Sequence, residues 1–312
     1  MESDNTLLAY FNNRKILITG SNGFVARNLI EELKTSDCII HGIDISENAN
    51  RNIEFHTCDL TDPKAFTAVL SEIEPHFIFH TAAIVTAERD SSLLSDMLKL
   101  HCETINNIFN ALKESQELKL VVNFGTTEEY GDYNGKPFAE DMLERSLSPY
   151  AVTKTAGIHL ACMLGKNDAF PVISVRPGVL FGRYQPETKF IPYIIKQLKN
   201  NDPLELSPCR QTRDFISVRS MIQILLELTA SEKYTIGEVY NIASGRSWQL
   251  KEVVEMTKKA LNSSSDIEYG ALPYRRNEIM EFNVSTEKIN ALIDLSSIPP
   301  FEKDYAEFLK GF

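Results

Sequence analysis

Short runs of β-branched and aromatic residues alternate with helix-length amphipathic segments through the first 177 residues. The predicted strands are KILIT (15–19), IIHGI (39–43), IEFHT (53–57), HFIFH (76–80), LVVNF (120–124) and PVISVRP (171–177). Apolar residues at helical spacing predict helices over Asn28–Lys34, Pro63–Ile73, Leu93–Lys113 and Tyr150–Leu164. Several strands are apolar on both faces, which is typical of a parallel sheet covered by helices on both sides. The alternation therefore predicts a doubly wound α/β fold.

The pattern changes after residue 177. Helices are predicted near 188–200, 219–230, 249–261 and 284–293, and short strands at 203–206, 214–217, 238–242 and 266–269. This order indicates a smaller α+β part at the carboxyl ends of the sheet. We therefore divide the chain into a doubly wound domain, 1–177, and a second part, 178–312, some of whose segments return to the first layer.

Composition and charge exclude several classes of protein. The 312 residues carry 32 Lys and Arg against 43 Asp and Glu, a net charge of −11, which disfavours nucleic-acid or anionic-membrane partners. The five cysteines are widely spread without C-x-x-C spacing, so neither a disulfide framework nor a metal site is expected. The polar N-terminus does not read as a signal peptide, and no apolar run approaches the roughly 18 residues of a membrane span. We expect a cytoplasmic protein.

The segment TGSNGFVA (19–26) follows the first strand and opens a helix. Gly20, Gly23 and Ala26 give the spacing G-x-x-G-x-x-A. Glycines let the backbone turn tightly and approach a pyrophosphate, and a helix N-terminus supplies unpaired N–H groups. The alternative is an ordinary tight turn between strand and helix. The residues predicted to meet a dinucleotide here are Gly20, Asn22, Gly23, Phe24 and Val25.

Acidic residues end the next two strands. Asp44, followed by Ile45, closes the second strand, where a carboxylate accepts hydrogen bonds from an adenosine ribose and repels a 2′-phosphate. No arginine follows directly, so NAD is favoured over NADP, with Arg51 the nearby cation that opposes this choice. Asp59-Leu60 could flank the adenine. For Asp44 a strand-end turn cap is the alternative.

Tyr150 and Lys154 lie four residues apart in SPYAVTK, on one face of a predicted helix that Ser148-Pro149 begins. A tyrosine is a poor base at neutral pH, and a nearby lysine cation favours its phenolate. In GTTEEYG (125–131), Thr126 could relay a proton and Glu128 could act as a general base, unless the segment is only a polar loop. His76 and His80 are interpreted as packing residues of a strand, and Cys58 as a core thiol.

Together these motifs resemble the extended short-chain dehydrogenase/reductase family, in its nucleotide-sugar epimerase/dehydratase/reductase branch. TGSNGFVA is similar to that branch's TGxxGFxG, FHTAA (79–83) to HxAA, SPYAVTK to SPYxxSK, RPGVLFG (176–182) to R-x-x-N-x-Y-G, QTRDFISV (211–218) to Q-x-RDF-x-x-V, and NIASGRSWQL (241–250) to N-I-G-x-G-x-x-x-S/T-L. The resemblance implies a Rossmann-type NAD(P)-binding domain over 1–177 and a mainly substrate-binding part over 178–312.

The resemblance also implies the roles of individual residues. Thr126, Tyr150 and Lys154 would be the catalytic trio, with Glu128 as a possible base at C5 of a sugar. Further cofactor contacts would come from Thr81, Ala82, Ala83 and Pro177. A nucleoside-diphosphate sugar would meet Thr127, Val179, Arg213, Arg275 and Arg276. Val179 stands where many relatives carry a substrate-binding asparagine, so the contact there is lost or replaced.

The implied reaction has several alternatives. Hydride transfer at sugar C4, as a 4-keto reductase or by C4 oxidation and epimerisation, is favoured over 4,6-dehydration with Glu128 as the base. A non-catalytic NAD-binding regulator is the alternative from another class. Relatives of this branch pair their helices into dimers, and an apolar stripe of Leu93, Leu94, Met97 and Leu100 predicts a homodimer, unless that stripe packs on the sheet.

Overall fold

The computed structural model describes residues 2–47, 53–86 and 88–312. Its strands, in chain order, are β1 Lys15–Thr19, β2 Ile39–Asp44, β3 Glu54–Thr57, β4 Phe77–His80, β5 Leu120–Phe124, β6 Val172–Pro177, β7 Val179–Phe181, β8 Leu204–Leu206, β9 Thr212–Ser217, β10 Val239–Ile242, β11 Ser247–Gln249 and β12 Ile267–Tyr269. Its helices are α1 Glu2–Ala9, α2 Phe24–Leu33, α3 Pro63–Ile73, α4 Leu94–Leu98, α5 Thr104–Leu112, α6 Pro149–Asp168, α7 Phe190–Asn200, α8 Val218–Ser231, α9 Leu250–Ala260, α10 Glu287–Asn290 and α11 Phe301–Leu309.

Within the described residues, seven parallel strands form the main sheet in the order β3-β2-β1-β4-β5-β6-β10. The chain leaves β1 in one direction along the sheet and returns to its other side at β4, so the strand order reverses between them. The register pairs Thr19 with His80 and His80 with Asn123, so β1, β4 and β5 end side by side. The loops that follow these strands meet at one edge, where doubly wound sheets bind ligands.

Helices cover both faces of this sheet, which explains why its strands are apolar on both sides. One core lies under α2 and α8 and includes Leu29, Ile30 and Leu225. The other lies under α3, α5 and α6 and includes Phe66, Ile108 and Leu164. The structure confirms the predicted Rossmann-type doubly wound fold.

Residues after 177 form a second layer with its own core. A three-stranded sheet of β11-β9-β7 and a two-stranded pair of β12-β8 surround the aromatic side chains of Phe181, Phe215, Phe301 and Tyr305. The segment 238–242, however, becomes β10 and extends the main sheet beside β6. Helix α8 likewise packs into the first core. The second half of the chain is therefore shared between the two layers.

Several predicted elements differ from the observed ones. The predicted helix 284–293 is wrong over most of its length: α10 spans only Glu287–Asn290, because Val284 bridges Phe138 as extended chain. The helix predicted to end at Leu164 continues to Asp168, and Ala169 ends it in the left-handed conformation two residues before Pro171. No element was predicted for α1, β7, β11 or α11.

The helix predicted over Leu93–Lys113 contains a π-helical turn at Lys99–Glu103 between α4 and α5. This turn packs against α6 at Gly157, where a Cβ atom would lie 2.3 Å from the carbonyl oxygen of His101. Only glycine lets the two backbones approach this closely. In the part of the chain that the structure describes, no helix is both long and apolar enough to cross a membrane.

Candidate active site

The glycine turn after β1 lies against the end of β4. Gly20 has φ +65°, and a Cβ atom there would lie 2.8 Å from Cα of Ala82. The backbone N–H of Gly23 donates to Gly20 O (2.8 Å) and closes the turn before α2. Phe24 and Val25 lie half-buried in the first turn of α2, which no described side chain caps. The first turn of α2 therefore has N–H groups that no described side chain caps, which is the type of helix terminus that binds a pyrophosphate.

Asp44 links the end of β2 to the glycine turn. Its Oδ2 accepts the backbone N–H of Asn22 (3.0 Å), and its Oδ1 accepts the N–H of Ile45 (2.8 Å). The Asn22 amide in turn donates to the Ser46 backbone (3.1 Å). A carboxylate has about four lone-pair positions, so Asp44 keeps acceptor capacity for ribose hydroxyls. The turn-cap role considered from the sequence is thus present and is compatible with ribose binding.

Two other predicted cofactor contacts lie near this edge. Asp59 is exposed, and its carboxylate accepts the N–H and hydroxyl of Thr61 within its own turn, while Leu60 is buried. The Thr81 hydroxyl donates to Thr19 O (2.6 Å), ahead of Ala82 and Ala83. Arg51, the cation that bears on the choice between NAD and NADP, lies outside the described residues.

The candidate catalytic loop, residues 125–131, follows β5 and contains a short 3₁₀ turn, Thr127–Tyr130. The hydroxyl of Thr126 accepts the N–H of Glu128 (3.3 Å), and its own N–H donates to the Glu129 carboxylate (2.7 Å). Glu128 itself is exposed. The hydroxyl of Thr127 donates to Pro177 O (2.8 Å), so its one proton is used inside the protein rather than on a ligand.

Helix α6 begins where Ser148 accepts the N–H of Ala151 (3.1 Å), with Pro149 in its first turn. This start places Tyr150 and Lys154 on the buried side of the helix, under the catalytic loop. The side chain of Thr126 is close enough to the Tyr150 phenol to lower its pKa. The Lys154 ammonium donates to Phe124 O (2.7 Å), the last residue of β5.

Burial dominates the electrostatics of this pair. It raises the pKa of Tyr150, and the charges of Glu128 and Glu129 raise it further, against the opposing hydrogen bond from Thr126. The expected lowering of the phenol pKa is therefore wrong for the protein chain alone. Burial lowers the pKa of Lys154 to about 8, and the charge of Glu129 opposes this shift.

The predicted substrate residues lie on the second layer. Arg213 in β9 donates to Thr212 O (2.6 Å) and Ile279 O (2.8 Å) and forms a salt bridge with Glu278. Val179 pairs with Phe215 in the same sheet and is half-buried. Arg275 and Arg276 are exposed. The charge of Glu128 raises the pKa of Tyr150 and opposes the fall in the pKa of Arg213 caused by burial, so the loop carrying Glu128 is near both residues.

With this geometry in place, the chain can be compared with known proteins. The model of the NAD dependent epimerase/dehydratase family matches residues 16–243. The chain belongs to this family. The predicted resemblance, the enzyme class and NAD as the cofactor are confirmed at this level. Membership does not distinguish the reactions that the family name covers.

Curated relatives of this NAD-dependent epimerase/dehydratase match along most of its length. A CDP-abequose synthase of Salmonella muenchen is 27% identical over 90% of this chain and 92% of that protein. A GDP-6-deoxy-D-talose 4-dehydrogenase of Aggregatibacter actinomycetemcomitans is 26% identical over 85% and 86%. A solved epimerase structure from Methanothermobacter thermautotrophicus has a TM-score of 0.87 and 21% identity, covering 98% and 94% of the two chains. The structural likeness shows the fold.

The residues of this epimerase/dehydratase family member fit NAD. Gly20 and Gly23 form a tight turn with no room for side chains, because a Cβ atom would lie 2.8 Å from Ala82 Cα at Gly20 and 2.9 Å from Gly20 O at Gly23, and such a turn suits the close approach of a pyrophosphate to the backbone. The Ser21 hydroxyl is buried and has no hydrogen-bond partner among the described residues. The glycine turn after β1 therefore contains an unpaired hydrogen-bond donor. A buried unpaired hydroxyl is costly unless something completes its bonding.

Sequence reasoning missed a buried ionic cluster under the catalytic loop. Arg176 donates from Nε to Glu129 Oε2 (2.8 Å) and from Nη2 to Glu144 Oε1 (2.5 Å). Its guanidinium also lies 4.5 Å from the ring centroid of Tyr130. A charged residue inside the apolar strand VISVRP and the T-x-x-E capping pattern of Thr126 and Glu129 were the available signals.

The two histidines near the site are neutral structural residues. His80 bonds Thr19 (2.8 Å) and Thr104 (3.0 Å), and burial lowers its pKa to about 3. His101, in the π-helical turn, accepts the N–H of Ile84 (3.2 Å) and bonds Thr153 (2.8 Å), and burial lowers its pKa to about 2.

The residues first interpreted as packing behave accordingly. His76 accepts the N–H of Lys15 (2.9 Å) at the start of β1, and burial raises the pKa of the Cys58 thiol. Across residues 2–47, 53–86 and 88–312, no group of three or more His, Cys, Asp and Glu side chains is arranged to hold a metal ion.

Proposed function

We propose that this enzyme transfers hydride at C4 of a nucleoside-diphosphate sugar, acting as a 4-keto reductase or as a 4-epimerase that oxidises C4 and reduces it again, so that bound NAD is recycled. The observation that carries this proposal is the placement of Tyr150 and Lys154, buried one helical turn apart on α6, beside Thr126 at the end of β5. The name of one relative, a 4-dehydrogenase of a GDP-6-deoxy sugar, supports C4 as the reacting carbon.

Each residue has a defined task in this proposal. Bound NAD or NADH supplies the hydride acceptor or donor. The pKa of Tyr150 lies above its usual value, so the phenol is protonated at neutral pH and can donate its proton to a C4 oxygen during reduction. Thr126 holds the phenol and the sugar oxygen. Lys154, charged below about pH 8, binds the ribose next to the nicotinamide.

The test is a panel of nucleotide sugars with different bases and both 4-hydroxy and 4-keto groups. Absorbance follows NADH, and mass spectrometry follows the sugar. A 4-keto reductase consumes NADH and adds two hydrogens, whereas an epimerase leaves both mass and NADH unchanged. Loss of water from the sugar, without net NADH change, would contradict the C4 proposal in favour of dehydration.

The second candidate is a nucleotide-sugar 4,6-dehydratase with Glu128 as the C5 base. The observation that favours it is the exposed carboxylate of Glu128, whose charge acts on the Tyr150 phenol. Glu128→Gln would then reduce turnover on the order of 10²–10⁴-fold, the usual effect of a general base. Incorporation of solvent deuterium at C5 in the wild type, abolished in Glu128→Gln, would establish dehydration. Asp132→Asn, which removes an exposed carboxylate of the same loop, is the matched control.

We propose NAD(H) rather than NADP(H) as the cofactor on the basis of Asp44, whose carboxylate lies at the end of β2 beside the glycine turn. A 2′-phosphate would meet this negative charge. Fluorescence titration of both reduced cofactors tests the choice, and equal or tighter binding of NADPH would contradict it. Asp44→Asn is expected to reduce the difference in affinity between NADH and NADPH.

We also propose a homodimer. The stripe predicted from the sequence is largely used within the chain, because Met97 is buried and Leu93, Leu94 and Leu100 are half-buried. The apolar side chains left outside are Leu98, Val152 and Met163, which are 41%, 45% and 41% exposed on α4 and α6. Sedimentation of wild type at micromolar concentration is expected to give a dimer and Val152→Glu a monomer. A monomeric wild type would contradict the proposal.

A further inference from the structure

Glu129 is a fully buried carboxylate inside the catalytic loop, with 0% of its surface exposed. Its Oε1 accepts the backbone N–H of Thr126 (2.7 Å), and its Oε2 accepts Nε of Arg176 (2.8 Å). It therefore connects a candidate catalytic residue to the arginine that ends the strand below. Neither the C4 proposal nor the dehydratase alternative uses this carboxylate.

The bond to Thr126 is the acidic half of a capping box, a motif that usually lies at the surface of a protein. Here a charged side chain is held on the other side by an arginine that is itself 0% exposed. Gly125 leaves the space for it, because a Cβ atom there would lie 2.5 Å from Glu129 Oε1. Burying a charge is costly unless it is paired, so a mere turn cap would not require this arrangement.

We propose that Glu129 is a positioning residue: clamped by Arg176, its carboxylate fixes the backbone of Thr126 and thereby the position of the Thr126 hydroxyl beside the Tyr150 phenol. Thr126 lies at the end of β5, where its φ of −155° continues the strand into the turn. Rotation of this residue would carry its hydroxyl away from the phenol. Small displacements of a reacting group are sufficient to slow a reaction strongly.

The same carboxylate acts on both titrating residues of the site. Its negative charge raises the pKa of Tyr150 and opposes the fall in the pKa of Lys154 caused by burial. A neutral residue at position 129 would lower both pKa values. The other groups that face these two residues are Glu128, Thr126, Cys102 and the neutral rings of His80 and His101.

The test is Glu129→Gln, which keeps the size and an acceptor for Thr126 but removes the charge. We expect kcat to fall on the order of 10- to 100-fold with little change in KM for the nucleotide sugar. The pH profile of kcat/KM should shift to lower pH by on the order of one unit. In the cofactor-free protein, NMR of ¹³C-labelled lysine, assigned with Lys154→Met, should show a lower pKa for Lys154 than in the wild type.

Glu144→Gln is the matched control, because Glu144 also pairs with Arg176 (2.5 Å) but does not contact Thr126. It removes one partner of the same arginine and should leave the pH profile and the Lys154 pKa unchanged. Equal effects of the two variants would overturn the proposal and assign the whole cluster to stability. A folded Glu129→Gln protein with wild-type kcat and an unshifted pH profile would overturn it as well.

Two further variants keep the proposal testable if Glu129→Gln fails to fold. The double variant Glu129→Gln, Arg176→Met removes both charges of the pair and is expected to show the same kcat loss and pH shift. Glu129→Asp retains the charge and should restore the Lys154 pKa while leaving kcat reduced. The inference rests on the proposed C4 chemistry only for its kinetic assay. The NMR result stands if no nucleotide sugar is turned over, so the two failures are distinguishable.

Discussion

Arg176 and Arg213 both lie close to the catalytic loop, but they are held in different ways. Arg176 is fully buried between two carboxylates, Glu129 and Glu144, and its pKa lies above the usual value. Arg213 is paired with one carboxylate, that of Glu278. The Arg213 side chain is 17% exposed, and burial lowers the pKa of its guanidinium. Both arginines remain charged at any accessible pH. The contrast lies in the number of carboxylates around each cation.

This difference predicts a structural role for Arg176 and a ligand-binding role for Arg213. Arg176 is 0% exposed and is paired with two carboxylates, so an anionic ligand does not reach it. Arg213 has a single acidic partner, on the segment that also carries Arg275, and in the proposed function an anionic diphosphate would replace that partner. We therefore expect an anionic ligand to bind at Arg213 in the second layer and not at Arg176 in the first.

The largest effect is expected from Arg176→Met. It leaves two carboxylates without their shared cation, and removing one partner of a buried ion pair costs about 3–5 kcal/mol of the free energy of unfolding. Urea denaturation of the two proteins measures this difference. A loss below about 1 kcal/mol would mean that the ion pairs of Arg176 contribute no more to stability than exposed pairs do.

Two buried groups, His80 in the first layer and Asp214 in the second, should contribute to the acid response with opposite signs. His80 has a folded-state pKa of about 3, far below that of the unfolded chain, so its contribution to stability is lost as the pH falls below about 6.5. Between about pH 7 and pH 5 this loss amounts to about 2 kcal/mol for one histidine. His80→Gln should be less sensitive to acid than the wild type by that amount, measured by urea denaturation at both pH values.

Asp214 in β9 should show the opposite sign. Burial raises its pKa to about 7, above that of the unfolded chain, so the folded state gains stability as the pH falls from about 7. Asp214→Asn should lack this gain, by about 2 kcal/mol between about pH 7 and pH 5. The same denaturation series checks it. If both variants changed in the same direction, the electrostatic contrast between the layers would be wrong.

Arg213→Met should act on binding rather than on stability. We expect KM for the nucleotide sugar to rise by about 10-fold, equivalent to about 1.4 kcal/mol, with kcat changing less. Because Arg213 has one carboxylate partner and Arg176 has two, the free energy of unfolding should fall less than in Arg176→Met. Steady-state kinetics and denaturation of one preparation give both numbers. A large loss in the free energy of unfolding without a change in KM would show that Arg213, like Arg176, has a structural role and does not bind the substrate.

The smallest effect is expected from Glu278→Gln. Releasing Arg213 from its acidic partner should lower KM for the nucleotide sugar by about 2- to 5-fold, less than 1 kcal/mol. Glu281→Gln, at an exposed acid of the same segment, is the control and should leave KM unchanged. A higher KM in Glu278→Gln would show that Glu278 supports substrate binding instead of competing with it.

The sequence predicted the strands of the main sheet and most of its helices because their apolar periodicity is set locally. It also predicted Gly20, Thr126, Tyr150 and Lys154, which stand in short motifs with fixed spacing. Arg176 and Glu129 were not predicted as a pair, since 47 residues separate them and only the parallel pairing of β5 with β6 brings them together.

Other errors have the same origin in long-range contacts. The helix predicted over 284–293 has helical composition, but Val284 is drawn into extended pairing with Phe138. The phenol of Tyr150 has a raised pKa because α6 is buried against the loop, and burial is not visible in the Tyr-x-x-x-Lys spacing. Local patterns predict elements and motifs, whereas tertiary packing sets charge states.

Gly157 carries no functional group, yet its neighbour determines its identity. The carbonyl oxygen of His101 occupies the space that any side chain at this position would need. The helix that presents Tyr150 and Lys154 is therefore seated by backbone against backbone, and every other amino acid would push it outward. A library randomised across α6 should return only glycine at position 157 among active clones. The need to hold Tyr150 and Lys154 in place therefore limits which amino acid is tolerated at a position on the same helix that does not contact the substrate.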